Sequence, residues 1–292
     1  MLFNKVTIIG LGLIGSSIAR IIKQKNLAKT LVAVDASKAV CDKVMELGIA
    51  DEATREIRNG VADADLVILA VPVGACGAVA EQIRYALKDG AIVTDTGSVK
   101  GTVVEQVMPH LKDNVHFVPA HPIAGTEHSG PEAGFTELFI DRWCIITPLP
   151  DSDIQAVEKV TALWEACGSR IEIMDVKRHD LVLAITSHLP HLIAYTIVGT
   201  ATDLEEDTKD DVIKFSASGF RDFTRIAASD PVMWRDVFLN NKEAVLEILQ
   251  RFNEDLTGLQ KAIRKGNGQQ LEDHFTKTRK IRREVIEAGQ AA

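Results

Sequence analysis

Apolar and polar positions along the first 175 residues alternate between two periods. Short runs rich in Val, Ile and Leu predict buried strands, and the segments between them place apolar residues at helical spacing. The predicted strands lie near residues 5–10, 31–35, 65–71, 91–95, 115–118, 143–147 and 170–174. The predicted helices lie near 14–25, 37–47, 75–87, 101–109 and 153–167. This alternation is typical of a doubly wound, mainly parallel sheet, so we expect an α/β fold.

The strand signals stop after about residue 174. Residues 179–201 are apolar nearly all round, which predicts a helix buried on several sides. Asp230 and Pro231 have the pattern of a helix N-cap and first position, and an apolar stripe of roughly eight turns follows them. A break at 266–268 precedes a final amphipathic helix. The remainder of the chain is therefore predicted to be all-helical.

Two domains are predicted from this change of pattern, a sheet domain at 1–174 and a helical domain at 175–292. The helical part has more apolar surface than roughly 120 residues can bury alone. We therefore predict a homodimer that forms through the helical domain.

Composition and charge narrow the class of protein. The chain has 292 residues, of which 46% are hydrophobic and 25% charged, as in an ordinary globular protein. The formal net charge of -8 argues against nucleic acid or an anionic membrane as the main partner. The four cysteines have neither metal-type nor disulfide-type spacing, and no leader or apolar run of about 20 residues stands out. We expect a soluble cytoplasmic protein without a metal site.

A glycine-rich turn follows the first predicted strand. Gly10, Gly12 and Gly15 form Gly-x-Gly-x-x-Gly, and the second predicted strand ends at Asp35, 20 residues past the last glycine. This strand–turn–helix–strand–acid order indicates a Rossmann-type dinucleotide site, with the pyrophosphate at the helix N-terminus and the acid on the ribose. A glycine turn of purely structural use is the alternative. The remaining residues predicted to bind cofactor are Leu11, Leu13, Ile14, Val71, Pro72 and Ser98.

The acid also indicates which cofactor binds. Asp35 would repel a 2′-phosphate, and the next residues, Ala36 and Ser37, provide no arginine to hold one. Lys38 is the nearest cation in sequence. The sequence therefore favours NAD over NADP.

Two polar segments follow the predicted strands at 91–95 and 115–118. Ser98 lies in the first segment and His121 in the second. Ligands bind beyond the carboxyl ends of parallel strands, so both side chains are expected at the edge that carries the NAD phosphates. A histidine there can take a proton from a substrate hydroxyl. A turn histidine bonded to backbone is the alternative for His121.

The predicted helical domain contains two further histidines, His188 and His191, on either side of Pro190. Pro190 predicts a bend in the helix, and the two histidines share a face. They are either core histidines or the lining of a pocket. A zinc pair lacks further ligands in the sequence.

Two arginines, Arg221 and Arg225, precede the Asp230 cap. They can hold a substrate carboxylate or pair with Asp222 and Asp236 as part of the structure. The chain has no Walker-type loop, no Gly-x-Ser-x-Gly and no His-Glu-x-x-His, so nucleotide hydrolysis, serine esterase and zincin chemistry lack support.

These motifs together resemble the prephenate/arogenate (cyclohexadienyl) dehydrogenase family of tyrosine biosynthesis. The matching segments, spread over positions 6 to 234, are 6–15 with Asp35, 95–100, 121–127, 187–191, and 219–227 with 229–234. The resemblance implies an N-terminal Rossmann domain, an all-α C-terminal dimerisation domain and NAD-dependent oxidative decarboxylation of a cyclohexadienyl substrate.

The resemblance also implies roles for individual residues. His121 would take the proton of the ring 4-hydroxyl, and Ser98 would orient that hydroxyl, His121 and the nicotinamide. Arg225 would hold a substrate carboxylate. The pocket would be lined by His188 and His191, with Thr126 and Glu127 at its mouth.

Two other functions are compatible with parts of the pattern. Another Rossmann-plus-helical dehydrogenase, of the β-hydroxyacid type, would be expected to use a lysine from the helical domain, where this chain offers histidines and arginines. A non-catalytic NAD sensor would not need the two histidine motifs. The choice between prephenate and arogenate does not follow from the sequence.

Overall fold

The computed structural model describes residues 1–126, 128–202, 211, 214–215 and 217–287. The chain forms two compact units, Met1–Ala244 and Val245–Ala292. The first unit contains both sheets and the residues predicted to bind cofactor and substrate.

A six-stranded parallel sheet forms the centre of the first unit. Its strands are β1 (Phe3–Ile9), β2 (Ala28–Val34), β3 (Glu52–Thr54), β4 (Leu66–Leu69), β5 (Ile92–Asp95) and β6 (His116–Val118). Their order is β3-β2-β1-β4-β5-β6, and every pair is parallel. This is the strand order of a Rossmann fold, so the predicted α/β class is confirmed.

The parallel sheet is buried because its strands are apolar on both faces. In β4 all four residues, Leu66–Leu69, are fully buried, and β1 and β2 each end in four consecutive buried residues. Helices cover both faces, as the continuous apolar runs require. The glycine-rich turn after β1 therefore follows directly on a buried part of the sheet.

Three further strands, β7 (Ala120–Pro122), β8 (Trp143–Ile146) and β9 (Arg170–Ile173), form a second, small sheet. Strand β7 is antiparallel to β8, with His121 opposite Ile145, and β8 is parallel to β9. The sequence pattern predicts β8 and β9 but neither β3 nor β7. Both missed strands have only three residues, too few to show a period of two.

Helices connect the strands much as predicted. They are α1 (Leu13–Gln24), α2 (Lys38–Glu46), α3 (Ile57–Val61), α4 (Cys76–Ile83), α5 (Gly101–Val107) and α6 (Ile154–Ala166). Side chains cap two of them at the N-terminus, Ser37 by accepting from Val40 N–H and Asp153 by accepting from Ala156 N–H. The short α3 has no counterpart in the sequence prediction.

The apolar segment after residue 174 is a helix of three parts. Helix α7 (Val176–Leu183), capped by Asp175, leads into a π-helical turn at Ala184–His188 and then into α8 (Leu189–Thr202). The π turn directly precedes Pro190, whose ring lacks an N–H and clashes with the carbonyl four residues earlier. The structure thus has a π-helical turn just before Pro190, where the sequence predicts a bend.

The stretch Val176–Ala201 is long and apolar enough to cross a membrane, judged by length and composition only. The sequence analysis did not single out an apolar run of about 20 residues and predicted a helix buried on several sides. In the structure only 22% of the most apolar window of this helix is buried within the described chain. A core helix of a soluble protein meets the same criterion, so one such helix is weak evidence for a span. The described part of the chain thus leaves a broad apolar face of this helix uncovered.

The predicted stripe of eight turns is two helices and not one. Asp230 caps the helix Pro231–Asn240 by accepting from Met233 N–H at 2.7 Å. Asn241 leaves the helical conformation (φ -109°, ψ 34°), and a second helix begins at Lys242. A single non-helical residue does not disturb the apolar period, so the sequence pattern passes over this break.

The remaining helices are Ser218–Thr224, Lys242–Arg264 and Gly268–Glu287. Gly266 has a positive φ of 64°, which fits the break predicted at 266–268. The last two helices make up most of the second unit.

Candidate active site

The glycine-rich turn between β1 and α1 is closed tightly against the end of β4. Gly10 has a φ of 92°, and a Cβ atom there would lie 2.5 Å from the carbonyl oxygen of Ala70 and 3.0 Å from Val71 Cγ1. A Cβ on Gly15 would lie 2.0 Å from the carbonyl oxygen of Gly10. Gly12, by contrast, has no atom within 4 Å of its Cβ position. A side chain would therefore break the turn at Gly10 or Gly15, and at Gly12 it would fill open space.

This open space at Gly12 lies at the N-terminus of α1. Gly12 is the N-cap of α1 and makes no side-chain cap, so the first N–H groups of α1 are left for a ligand. The buried backbone of Leu11 and Leu13 and the half-buried Ile14 form the turn itself. Val71 and Pro72, at the end of β4, border it. The arrangement fits the pyrophosphate of NAD.

Asp35 lies at the end of β2 beside the glycine turn. Its carboxylate accepts hydrogen bonds from Leu11 N–H at 3.0 Å and from Ser37 N–H at 2.9 Å. It is half-buried, and each of its two oxygens accepts one of these bonds. The position fits a residue that accepts from ribose hydroxyls.

An arginine from a distant part of the chain lies next to Asp35. Arg55, just after β3, donates from Nε to the carbonyl oxygen of Ala36 at 2.9 Å. The sequence pattern does not reveal this contact, because it does not predict β3, the strand that brings Arg55 beside the end of β2. The ribose edge therefore carries both an acid and a cation.

A fully buried ion pair joins the ends of β5 and β7. Lys100 Nζ is paired with Asp95 Oδ2 and also donates to the carbonyl oxygen of Ala120 at 2.7 Å. Asp95 Oδ1 accepts from Ala120 N–H at 3.3 Å. Both charged side chains have no solvent exposure. The N–H and the carbonyl of Ala120, the residue directly before His121, are thus both held.

His121 lies on strand β7, whereas the sequence pattern places it in the segment that follows a strand. Its ring Nδ1 is 2.9 Å from Nε2 of His179, and Nδ1 of His179 is 2.8 Å from Oδ1 of Asp180. His121 is 9% exposed and His179 is fully buried. The three side chains form a continuous polar chain from the second sheet to α7.

Burial determines the protonation of these histidines. It lowers the pKa of His121 well below the usual value, and the charges of His179, Lys100 and His188 act in the same direction. Burial also lowers the pKa of His179, against the opposing effect of Asp180. Both imidazoles are therefore neutral near pH 7.

Asp180 connects this chain of side chains to the backbone of α5. Burial acts to raise the pKa of its carboxyl, but hydrogen bonds from His179 and from the N–H groups of Lys100 and Gly101 outweigh burial and lower it. Both N–H groups lie 2.8 Å from the carboxylate. The side-chain amide of Asn241 donates to Asp180 O at 2.9 Å. Asp180 is therefore an ionised and firmly held acceptor.

His188 and His191 lie on either side of Trp234. The His191 ring stacks on it at 3.6 Å between ring centroids, and His188 meets it edge-on at 6.1 Å. Nδ1 of His188 lies 3.0 Å from the Asn241 amide, and burial lowers the pKa of His188 to about 4. The charge of Arg225 contributes to lowering the pKa of His191, which places the guanidinium near that ring.

Arg225 is exposed, at the start of a short turn that follows the helix Ser218–Thr224. One of the structural partners considered for it, Asp236, is paired with Arg235 at 2.7 Å. The guanidinium of Arg225 acts electrostatically on His191, which makes Arg225 the candidate cation for a substrate carboxylate on that side.

The remaining predicted site residues lie on connecting segments. Ser98 is half-buried between β5 and α5, two residues before Lys100. Thr126 is exposed and accepts from His128 N–H at 3.3 Å. Glu127 lies outside the described residues.

We refer to His121, His179, Asp180, His188 and Asn241, with Lys100 beside them, as the histidine cluster. Four of these residues did not stand out in the sequence as functional: Lys100, His179, Asp180 and Asn241. Lys100 is part of a segment that the resemblance matched, but no role was assigned to it. The adjacent His179 and Asp180, two polar residues at the start of the mostly apolar segment 179–201, were a usable signal. Asn241 carried none, because only its departure from helix brings its amide to Asp180 and His188.

Family comparisons cover most of the chain. Residues 18–173 match the family described as prephenate dehydrogenase, nucleotide-binding domain, and residues 175–277 match prephenate dehydrogenase, dimerization domain. Cyclohexadienyl dehydrogenase of Zymomonas mobilis is 44% identical over 280 residues, which cover 96% of this chain and 95% of that enzyme. Prephenate dehydrogenase of Bacillus subtilis is 36% identical, over 86% of this chain and 67% of that enzyme.

Solved structures are also similar. Prephenate dehydrogenase from Aquifex aeolicus, in complex with hydroxyphenyl propionate and NAD+, matches with a TM-score of 0.90 and 35% identity. The match covers 97% of this chain and 98% of that one. Synechocystis arogenate dehydrogenase matches with a TM-score of 0.84 and 26% identity, over 96% of this chain and 99% of that one.

Proposed function

Because the chain belongs to the prephenate dehydrogenase family, we propose that it catalyses the NAD-dependent oxidative decarboxylation of prephenate, arogenate or both. The products are 4-hydroxyphenylpyruvate or tyrosine, together with CO2 and NADH, which places the reaction in tyrosine biosynthesis. The relatives named above for prephenate, arogenate and cyclohexadienyl substrates support this substrate class.

The observation that carries the proposal is a buried neutral histidine joined to the end of the cofactor-binding sheet. His121 follows Ala120, whose N–H is bound by Asp95 at the end of β5 and whose carbonyl is bound by Lys100. Strand β5 belongs to the same parallel sheet as the glycine turn. A proton acceptor beside a hydride-acceptor site is what oxidation of a secondary ring hydroxyl requires.

The chemistry needs little more than orientation and one proton acceptor. NAD, when bound, accepts the hydride from ring carbon C4. His121 takes the proton of the 4-hydroxyl as that carbon becomes a carbonyl carbon. The ring then loses its carboxylate as CO2, its electrons aromatise the ring, and His121 returns the proton to the phenolate oxygen. Atoms and charge balance without a further base.

We assign the remaining contacts by the family's motifs and by position. Ser98 orients the hydroxyl, and Arg225 holds a carboxylate of the substrate, supported by its position near His191. His188 and His191 line the pocket beside Trp234. Thr126 and Glu127 lie on the segment at its mouth. The NAD-binding residues are those of the glycine turn with Asp35, Val71, Pro72 and Ser98.

An absorbance assay at the NADH band tests the reaction. With NAD present, we expect NADH to accumulate with prephenate, with arogenate or with both, and the ratio of the two kcat/KM values ranks the substrates. CO2 release should match NADH formation one to one. Absence of NADH with both substrates from a folded, NAD-binding protein would refute the function.

We also propose a homodimer formed through the helical part of the chain, 175–292. The family description of residues 175–277 and the uncovered apolar face of Val176–Ala201 support it. Cover by a second copy would also explain this helix without a membrane. We propose a cytoplasmic location because all four cysteines are buried free thiols. Sedimentation equilibrium at micromolar concentration tests the dimer, and a monomer there would contradict it.

A further inference from the structure

We propose that His179 and Asp180 are a positioning pair that fixes the tautomer and the ring orientation of His121. The inference rests on the proposed function, because it takes His121 as the group that receives the substrate proton. It assigns a role to two residues outside the motifs discussed above.

Asp180 sets the direction of the hydrogen bonds. Its carboxylate already accepts from the N–H groups of Lys100 and Gly101, both at 2.8 Å. An ionised carboxylate can only accept, so Nδ1 of His179 must carry the proton in the 2.8 Å contact to Oδ1. Asp180 thus selects one tautomer of His179.

The selection passes to His121. A neutral imidazole that carries its proton on Nδ1 has a lone pair on Nε2, so Nε2 of His179 accepts. Nδ1 of His121, 2.9 Å away, must therefore donate. The unprotonated nitrogen of His121 is then Nε2, which is the acceptor that proton transfer from a hydroxyl requires.

The pair also holds the ring in place. The backbone at His121 is fixed by β7 pairing with Ile145 and by the contacts of Ala120 to Asp95 and Lys100. These contacts leave rotation of the imidazole about its side-chain bonds free. His179 lies at an interplanar angle of 64° to the ring and supplies a polar contact that stops this rotation.

When His121 gains the substrate proton, its Nδ1–H still donates to His179. The resulting positive charge lies one imidazole away from the Asp180 carboxylate. The pair therefore stabilises the protonated state without itself exchanging a proton with the substrate.

Two substitutions of His179 separate this role from packing. His179→Leu fills a similar volume but offers no acceptor, whereas His179→Gln places an amide near the position of Nε2. We expect His179→Leu to lower kcat by about 10²-fold, the scale on which a positioned base contributes, with KM and NAD affinity nearly unchanged. His179→Gln should recover most of that loss, because the amide oxygen can accept from His121.

A double mutant tests whether His179 acts through His121. In a His121→Asn background, the further change His179→Leu should lower kcat no more, since the group it positions is gone. Equal losses in both backgrounds would overturn the proposal, as would wild-type kcat in His179→Leu or equal losses in the Leu and Gln variants.

The wild-type enzyme and His121→Asn keep this test distinct from the proposed function. An inactive wild type, or a fully active His121→Asn, would refute the role of His121. A defect confined to His121→Asn would refute only the positioning pair. If His179→Leu fails to fold by circular dichroism, the comparison of His179→Gln with Asp180→Asn replaces it. Asp180→Asn should then lower kcat more than His179→Gln, and the reverse order would contradict the proposal.

Discussion

The cofactor turn and the histidine cluster are built in different ways. Most of the cofactor turn comes from one stretch of 32 residues, from the start of β1 to the end of β2. It requires a particular backbone geometry: a φ of 92° at Gly10 and no Cβ at Gly15. The histidine cluster is formed by residues from β7, α7, the π turn and Asn241. It requires hydrogen bonds from side chains to residues 53 to 61 positions away in the sequence.

The two regions also differ in exposure and charge. Gly12 is exposed beside open space and Asp35 is half-buried, so a bound ligand can add contacts there. His121, His179 and His188 are buried and held neutral. We therefore expect substitutions in the turn to act on affinity for the cofactor and substitutions in the cluster to act on kcat.

The largest effect is expected for His121→Asn. Loss of the proton acceptor should lower kcat by about 10²- to 10⁴-fold, the usual contribution of a general base. The dissociation constant for NAD, followed by fluorescence titration, should stay near the wild-type value. A fall in NAD affinity as large as the fall in kcat would show that the two regions are not separate.

Arg225→Gln should act on substrate binding. A hydrogen bond to a charged group contributes about 1.5–3 kcal/mol, so KM for the substrate should rise by roughly 10- to 100-fold with kcat nearly unchanged. Arg235→Gln is a matched control on an exposed arginine that pairs with Asp236. A normal KM in Arg225→Gln would contradict the proposed contact between Arg225 and a substrate carboxylate.

Asp35→Ala should weaken NAD and relax discrimination against NADP. The expected loss in NAD affinity is about 10-fold, since one charged acceptor of ribose hydroxyls is removed. Any gain in NADP use should depend on Arg55, which lies beside Ala36. The double variant Asp35→Ala with Arg55→Ala should lose that gain, and equal NADP use in both variants would exclude Arg55. A wild type already indifferent to the 2′-phosphate would contradict the role of Asp35.

The smallest effect concerns stability at mildly acidic pH. His121, His179 and His188 have lowered pKa values in the folded chain, so the unfolded chain binds more protons as the pH falls below about 6.5. Stability is then complete above pH 6.5 and falls towards pH 5, by at most about 1.4 kcal/mol per pH unit for each imidazole that stays neutral.

Two carboxyls at the opposite edge of the parallel sheet, where the strands begin, respond in a lower range. Hydrogen bonds and ion pairs outweigh burial and lower the pKa of Asp51 and Asp65, so their contribution is lost only below about pH 4. Melting temperatures at pH 7.5 and 5.5 therefore report on the cluster. His188→Gln should reduce the difference between the two pH values, and an unchanged difference would argue against this assignment.

Much of the fold followed from periodicity. Seven of the strands, the helices α1–α6 except α3, the Asp230 cap and the break at 266–268 were all predicted from spacing and composition. The three-residue strands β3 and β7 and the non-helical Asn241 were missed. Each is too short to change an apolar period, yet these segments carry or position Arg55, His121 and the Asn241 amide.

The sequence by itself determined the cofactor turn, because close packing at glycine and a helix N-terminus are local properties of the backbone. It also placed His121, His188, His191 and Arg225 among the candidates by residue type. Only the tertiary structure decided which imidazoles meet, which are neutral and which nitrogen of His121 is free. Those properties depend on burial and on hydrogen bonds from Asp180 and His179, and no spacing along the chain encodes them.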